Sequence, residues 1–328
     1  MNETSFSIIV PVYNTEEKFL KECIDSLNNL KYDNYEVIFV DDASDDDTKQ
    51  ILNKLIFKDN QKLFTHKKNK GLAEARKTGI TKATGDYSLF LDSDDVFGEN
   101  ALNYLNDVVI KNHPDVIIHT LPRFSKSSNE LEIDQPFFKS GNVDKTEAMT
   151  QLLSLHTNSI CEKCAKTKLM KKVYDDIDSS IIMGEDLQQS TNLFLLANTF
   201  YYLDKRFYYY RINGNKSYYD FTNLNDMNFT LPTYRKVFVE HNEYNNLLDV
   251  YKLASTNAII YRAFKLCKFK NKKELLNKLN ETDIVKTTKS INKKIPLFQE
   301  MVFGLLIHKN YFLLNILAFV YNKTNPEF

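Results

Sequence analysis

An α/β fold with a mostly parallel sheet flanked by helices, followed by a smaller, mainly helical carboxyl-terminal region, is what three features of this 328-residue sequence predict. Short apolar runs alternate with amphipathic stretches up to about residue 120, at the spacing of strand–helix–strand units. The runs are continuous rather than alternating, as strands buried on both faces are. Polar clusters follow the runs, and open α/β sheets place their ligands at the carboxyl ends of the strands.

Phe6 to Val10 is the first strand, stopped by Pro11. Asn14 and Glu17 have the spacing of a capping box, and Phe19, Leu20, Cys23, Ile24 and Leu27 share one face of the helix that follows. Val37 to Val40 is the second strand, ending at Asp41-Asp42. Asp45 to Phe57 reads as the next helix and Leu63 to Thr65 as a third, short strand. Gly71 to Ala83 is helical by composition, Gly85 breaks it, and Tyr87 to Leu91 runs as a strand into Asp92-Ser93-Asp94-Asp95. Val116 to His119 is the fifth strand. Ser125 to Asp144 is polar enough for a loop or irregular hairpin, Asp186 to Asn198 reads as a helix, and Phe200 to Ile212 as one or two aromatic strands around a Lys205-Arg206 turn. The pattern places one domain over residues 1–217 and a helical region over 218–328.

Composition removes several classes. With 43 Lys and Arg against 43 Asp and Glu, no whole-chain basicity points to nucleic acid. Four cysteines in this length make no disulfide framework, so a reducing, cytoplasmic compartment is expected. The first residues lack a basic leader region, and no run of about 18 apolar residues suggests a membrane span. Residues 262–294 nevertheless carry eleven Lys and Arg against three acidic residues, ahead of an apolar segment, Ile295 to Val320, broken at Gly304 and His308-Lys309-Asn310. Residues 262–320 therefore read either as a peripheral contact with the inner face of an anionic membrane or as a packed hairpin or homo-oligomer interface. Cys161-x-x-Cys164 has no second pair to complete a zinc site and reads as packing thiols, and the six histidines lack metal-ligand spacing.

Three acidic clusters carry the chemistry: Asp41-Asp42, Asp92-Ser93-Asp94-Asp95 and Glu185-Asp186. The first two follow buried strands. Carboxylates crowded at a strand end repel one another unless a cation or hydrogen-bond donors compensate them. Their hard oxygens suit Mg2+ or Mn2+, which binds through one or two carboxylates plus substrate phosphates.

Phe6 to Asn14 (FSIIVPVYN), Val40-Asp-Asp-Ala-Ser44 with Thr48, Asn69-Lys-Gly71 with Ala75-Arg76 and Gly79, Thr84-Gly-Asp86 and Phe90-Leu-Asp-Ser-Asp-Asp95 resemble, in order and spacing, glycosyltransferase family 2. The similarity is strong over about residues 5 to 120. It resumes weakly at Glu162-Lys163, Gly184-Glu-Asp186 and Tyr208-Tyr-Tyr-Arg211 with Ser217. The resemblance implies a GT-A fold and inverting, metal-dependent transfer of a hexosyl or N-acetylhexosaminyl group. The donor would be a nucleotide-sugar, most often UDP-linked, and the acceptor a glycan or lipid-linked glycan in surface polysaccharide or glycoconjugate synthesis. By position, Pro11 and Tyr13 would flank the nucleobase, Asp42 would accept from its ring N–H, and Arg76 would lie near the nucleotide. Asp94 would bind the metal directly and Asp92 would be shared between metal and ribose. Arg211 would clamp the diphosphate. Asp186 would deprotonate the acceptor hydroxyl, with Glu185 sharing that role or positioning the acceptor. An ordinary Asp pKa of about 3.9 and a helix start both favour the ionised form of such a base.

The family often has a metal-binding histidine after the Tyr-Tyr-Tyr-Arg strand; here Ile212, Asn213, Gly214 and Asn215 follow, leaving the third ligand to Asn213, Asn215 or water. Two other readings compete: a haloacid-dehalogenase-type phosphatase using Asp92 and Asp94, and a nucleotide-binding scaffold without turnover.

Overall fold

The computed structural model describes residues 3–56, 58–125, 128–132, 138–177, 184–212, 231–252 and 254–255. Two compact units divide the chain: residues 1–152 with 157–215, and residues 153–156 with 216–328. The first is built from β1 (Phe6–Val12), α1 (Glu17–Asn28), β2 (Tyr35–Asp41), α2 (Asp46–Leu55), β3 (Gln61–Thr65), α3 (Leu72–Lys82), β4 (Tyr87–Phe90), β5 (Val96–Phe97), α4 (Ala101–Asn112), β6 (Val116–His119), β7 (Arg123–Ser125), β8 (Ser128–Glu132), β9 (Gly141–Val143), α5 (Lys145–Leu153), a 3-10 turn (Ile160–Glu162), β10 (Lys163–Lys166), α6 (Thr167–Asp175), α7 (Glu185–Leu196), β11 (Phe200–Leu203) and β12 (Tyr208–Arg211). The described parts of the second unit are short helical segments, Leu231–Tyr234, Arg235–Glu240 and Asn242–Leu247. The stretch 262–320, expected to meet a membrane or a second copy, lies outside the described residues. Among those residues no helix is long and apolar enough to cross a membrane.

The main sheet has eight strands in the order β3-β2-β1-β4-β10-β6-β11-β9. The pairs β3/β2, β2/β1, β1/β4 and β6/β11 are parallel, whereas β10 runs antiparallel to both of its neighbours. Because β10 is reversed, its first residue, Lys163, lies at the carboxyl edge of β4 and β6. A second sheet, β5-β12-β7-β8, stands apart from the first. The Phe200 to Ile212 stretch is thus two strands, and each joins a different sheet.

β1 is buried along its whole length, and so is β2 from Glu36 to Asp41. Each fully buried aliphatic or aromatic side chain there contributes about 1.5–3 kcal/mol. α1 buries the expected face, Phe19, Leu20, Cys23, Ile24 and Leu27. Its cap differs from expectation. The N-cap is Glu16, with no side-chain cap bond, and Asn14 sits at φ 46° with its Oδ1 accepting from the Asp45 N–H. Asn14 thus braces the start of α2 instead of capping α1, and Asp45 itself caps α2 by accepting from Thr48 N–H. Gly79 lets α3 press onto β1, since a Cβ there would run into Cγ2 of Ile9.

Glu36 links β2 to neighbours on both sides, accepting from Ser7 Oγ at 2.8 Å, Thr84 N at 2.6 Å, Thr84 Oγ1 at 2.7 Å and Lys62 Nζ at 2.7 Å. Burial alone would raise its pKa, but the bonds from Lys62, Thr84 and Ser7 outweigh it and hold the group at about 2. A carboxylate depressed in the folded state adds stability above its unfolded pKa of about 4.3 and loses that contribution as pH falls toward the folded value. Glu36→Gln should therefore lower the melting temperature at pH 7 and flatten the loss between pH 4 and 2; scanning calorimetry across that range checks this, and an unchanged acid slope would refute it.

Candidate functional site

The carboxyl ends of β1, β2, β3 and β4 and the start of β10 share one edge of the main sheet. Pro11 is buried near the end of β1, and Tyr13 after it presents its ring, 52% exposed. The loops here are bound to one another. Asn14 N–H donates to Ser44 Oγ, Ser44 N–H donates to Asp41 Oδ1, and Thr15 Oγ1 lies 2.6 Å from Ser93 Oγ. Ala43, like Asn14, adopts positive φ, 61°. Backbone held in this sparsely populated region clusters at functional sites.

Asp42, expected to face a nucleobase, is 2% exposed. Its Oδ1 pairs with His66 Nδ1 at 2.6 Å and accepts from Lys70 N–H at 2.9 Å, while Oδ2 accepts from Gly71 N–H at 2.7 Å. All these donors are the protein's own, and they tie the end of β2 to the start of α3. His66 Nε2 continues the chain to Thr78 Oγ1 at 2.9 Å. Beside it, Oδ2 of Asp41 is a buried acceptor without a hydrogen-bond partner.

The Asp92–Asp95 turn is anchored from beneath by its last residue. Asp95 is fully buried, with Oδ2 accepting from Tyr208 Oη at 2.8 Å and Oδ1 from Arg211 N–H at 2.7 Å. Burial, with Asp92 and Asp94 nearby, pushes its pKa well up. Tyr208 Oη in turn accepts from Asp92 N–H. Arg211, expected as a diphosphate clamp, is 6% exposed. Its guanidinium lies between the Phe19 and Phe124 rings, 4.5 Å from each, and donates to the Asp94 carbonyl and to Glu22 Oε2. It therefore holds the turn to α1 and β12. Asp92 and Asp94, one residue apart, remain half-buried at the surface of the turn.

Arg76 joins this turn to α7. Its Nη2 donates to Asp92 Oδ1 at 3.0 Å and its Nη1 to Asp186 Oδ1 at 2.5 Å. The same guanidinium reaches Gln189 Oε1 and Cys161 Sγ and packs over the Phe90 ring. Burial works against its charge, but Asp186 and Asp92 more than offset this and push its pKa up. The side chain is 1% exposed, whereas those of Asp92 and Asp186 are 29% and 30% exposed. Substrates can therefore meet the two carboxylates but not the cation between them. Asp186 stands in the first turn of α7, entered through Gly184 in the left-handed region at φ 83°, where a side chain would be strained. Beside it, burial and the Asp186 charge push Glu185 up to about 7.

Asp92, Asp186 and Arg76, 110 residues apart at the extremes, are thus brought together; Asp42 and Arg211 take bracing positions. Among the described residues no group of three or more His, Cys, Asp or Glu is placed to hold a metal ion. Asp92 and Asp94 still match the donor set of a Mg2+ or Mn2+ ion that draws most of its ligands from water and phosphate, which needs only one or two carboxylates. Asn213 and Asn215 fall outside the described residues. Cys23, Cys161 and Cys164 are free and buried. The cysteine pair's neighbour Lys163 is a bracing residue that the sequence did not single out as such. It is wholly buried, pairs with Glu162 Oε1 at 2.8 Å and donates to the Thr157 and Ser159 carbonyls.

Comparison with known proteins places this geometry. The model of the family described as Glycosyl transferase family 2 matches residues 7–173, just over half of the chain. Glycosyltransferase GlyG of Streptococcus pneumoniae is 30% identical over 215 residues, covering 62% of this chain and 70% of GlyG. Glycosyltransferase GlyA of the same organism is 27% identical over 218 residues, 64% of this chain, and the match spans 31% of GlyA. A crystal structure of S. aureus TarS 1–349 in complex with UDP-GlcNAc aligns with a TM-score of 0.70 at 21% identity, covering 98% of this chain and 92% of that one, a likeness of fold. An α/β fold with a mostly parallel sheet, aspartates after β2 and β4, and a family model running from β1 into α6 lead to one assignment: the chain belongs to glycosyl transferase family 2.

Proposed function

We propose that the chain transfers a sugar from a UDP-sugar to a hydroxyl of a glycan or glycolipid acceptor, with inversion at the anomeric carbon. The observation that carries this reading is the pairing of Asp92 and Asp186 through one buried guanidinium. It sets a carboxylate of the strand-end Asp-x-Asp within a side chain's span of a carboxylate at a helix start. In-line displacement needs such an arrangement, with the leaving group on one side of the anomeric carbon and the incoming oxygen on the other. Family membership argues against the phosphatase reading, and the TarS complex favours a UDP-linked donor.

The nucleobase lies against Tyr13 and Pro11, and Asp42 braces the adjoining end of β2 through His66 and the Lys70 and Gly71 amides. Asp94, with Asp92, would hold a Mg2+ or Mn2+ ion, whose charge would offset that of the departing diphosphate. Asp186 accepts the proton of the acceptor hydroxyl as its oxygen bonds to the anomeric carbon. The bond from that carbon to the diphosphate oxygen breaks, and UDP leaves with the electron pair. Glu185, pushed up to about 7 by burial and the Asp186 charge, shares that role or positions the acceptor. Arg211 and Asp95 keep the Asp-x-Asp turn in place.

Thermal stabilisation by a panel of nucleotide sugars, with and without Mn2+, tests the donor class. UDP-sugars should raise the melting temperature, and more so with Mn2+. Asp94→Ala should remove the Mn2+-dependent part of UDP affinity, about tenfold or more for the loss of a charged ligand. Unchanged UDP affinity with Mn2+ in that variant would refute the metal assignment. Donor binding without transfer to any acceptor would favour a scaffold.

A further inference from the structure

Arg76 offers almost no surface to a substrate, yet among the described residues it touches carboxylates on both sides of the proposed reaction. A planar guanidinium presents its donors in a rigid fork, so a single side chain can fix two carboxylates at once, where an ammonium is a point donor on a flexible stem. In this chain the fork is itself fixed. Phe90 lies beneath it at 5.6 Å, Gln189 Oε1 meets Nη1 at 3.3 Å, and that same oxygen accepts from Tyr174 Oη at 2.8 Å. Gly79, one turn further along α3, sets the depth at which α3 rests on β1 and hence the depth of the fork.

We propose that Arg76 is a positioning residue that ties the donor-side carboxylate, Asp92, to the acceptor-side carboxylate, Asp186, and competes with the divalent cation for Asp92. This rests on the metal-dependent transfer reading above. Asp92 Oδ1 is already engaged by a full positive charge at 3.0 Å, so a cation approaching that carboxylate must share it. As the cation draws off Asp92, the fixed guanidinium is left with Asp186 as its carboxylate partner, so donor occupancy is felt at the acceptor side, and by linkage the reverse holds. The arrangement weakens metal binding and steadies the group that receives the proton. A residue that merely filled the core would do neither.

The two effects have opposite signs, which makes the test selective. Arg76→Met should lower kcat about 100-fold, the scale of a misplaced catalytic group, while leaving the donor KM within a few-fold. In the same variant Mn2+, titrated into the UDP-bound protein by calorimetry or by its electron paramagnetic resonance signal, should bind about tenfold tighter, because a repelling unit charge beside the site is gone. Arg76→Lys keeps the charge but not the fork; it should hold Mn2+ affinity near wild type and recover only part of kcat. A parallel loss of Mn2+ affinity and kcat in a folded Arg76→Met variant would overturn the proposal, as would an unchanged kcat. If Arg76→Met does not fold, Arg76→Lys decides: wild-type kcat there overturns the tie. A wild-type chain that takes up no Mn2+ with UDP would sink the metal reading and the competition with it, while the tie to Asp186 would still stand or fall on kcat in Arg76→Lys.

Discussion

Asp186→Asn should lower kcat for sugar transfer by about 10²–10⁴, the range that general-base catalysis supplies, while UDP affinity stays within a few-fold of wild type. The amide keeps the size of the carboxylate and can still accept from Arg76, but it cannot take up a proton. Glu185, pushed up to about 7 by burial and the neighbouring Asp186, is basic enough to share the role. Glu185→Gln should nevertheless cost less than Asp186→Asn, because it is Asp186 that Arg76 holds in place. Steady-state kinetics with UDP release as the readout, beside calorimetric UDP binding, separates the terms. Full turnover by Asp186→Asn would remove it from the role of base.

The largest stability effect is expected at Lys163. Its ammonium is wholly enclosed, paired with Glu162 and bonded to two carbonyls of the preceding turn, and it lies 5.7 Å from the centre of the Phe194 ring. Burial lowers its pKa and raises that of Glu162, against their mutual attraction. Removing one partner of such a pair typically costs about 3–5 kcal/mol, because the remaining charge stays buried, whereas replacing both costs far less. Lys163→Met should therefore lower the melting temperature by roughly 10 °C, at about 2–4 °C per kcal/mol for a domain of this size. Adding Glu162→Gln should restore much of the loss. A Lys163→Met protein that melts within 2 °C of wild type, a margin of about 1 kcal/mol or less, would contradict the idea that the pair anchors β10.

The parallel half of the sheet was legible because its strands are buried on both faces and are written as largely apolar runs: Phe6 to Val10, Val37 to Val40, Val116 to His119. α4 carried its signal openly, with Ala101, Leu102, Leu105, Val108 and Val109 on one face, although the sequence reading assigned no helix there. β10 did not. It is four residues with a lysine at each end, and the first of these is a buried charge that reads in sequence as a surface one. Its reversed insertion between β4 and β6 follows from pairings that no local pattern encodes. The site divides in the same way. The acidic clusters holding Asp92, Asp94 and Asp186 stand out in the sequence at strand ends and a helix start, and their roles are implied by the resemblance to glycosyl transferase family 2. The bracing roles of Arg76, Arg211 and Asp42 could not be named, since each depends on partners remote in the chain: Asp186 for Arg76, Glu22 and Phe124 for Arg211, the Lys70 and Gly71 amides for Asp42. The Asn14 capping box failed for a related reason. A partner 31 residues away, the Asp45 amide brought near by the β1–β2 pairing, takes the same side-chain oxygen.

The most direct trial is a crystal structure of the full chain with UDP and Mn2+. The uracil should lie beside Tyr13, the diphosphate and the ion at Asp94 and Asp92, and the open side of the diphosphate should face Asp186. A nucleotide seated elsewhere, for example in the 830 Å³ groove lined by His113, Lys168 and Lys171 at the opposite edge of the sheet, would contradict the assignment of the site.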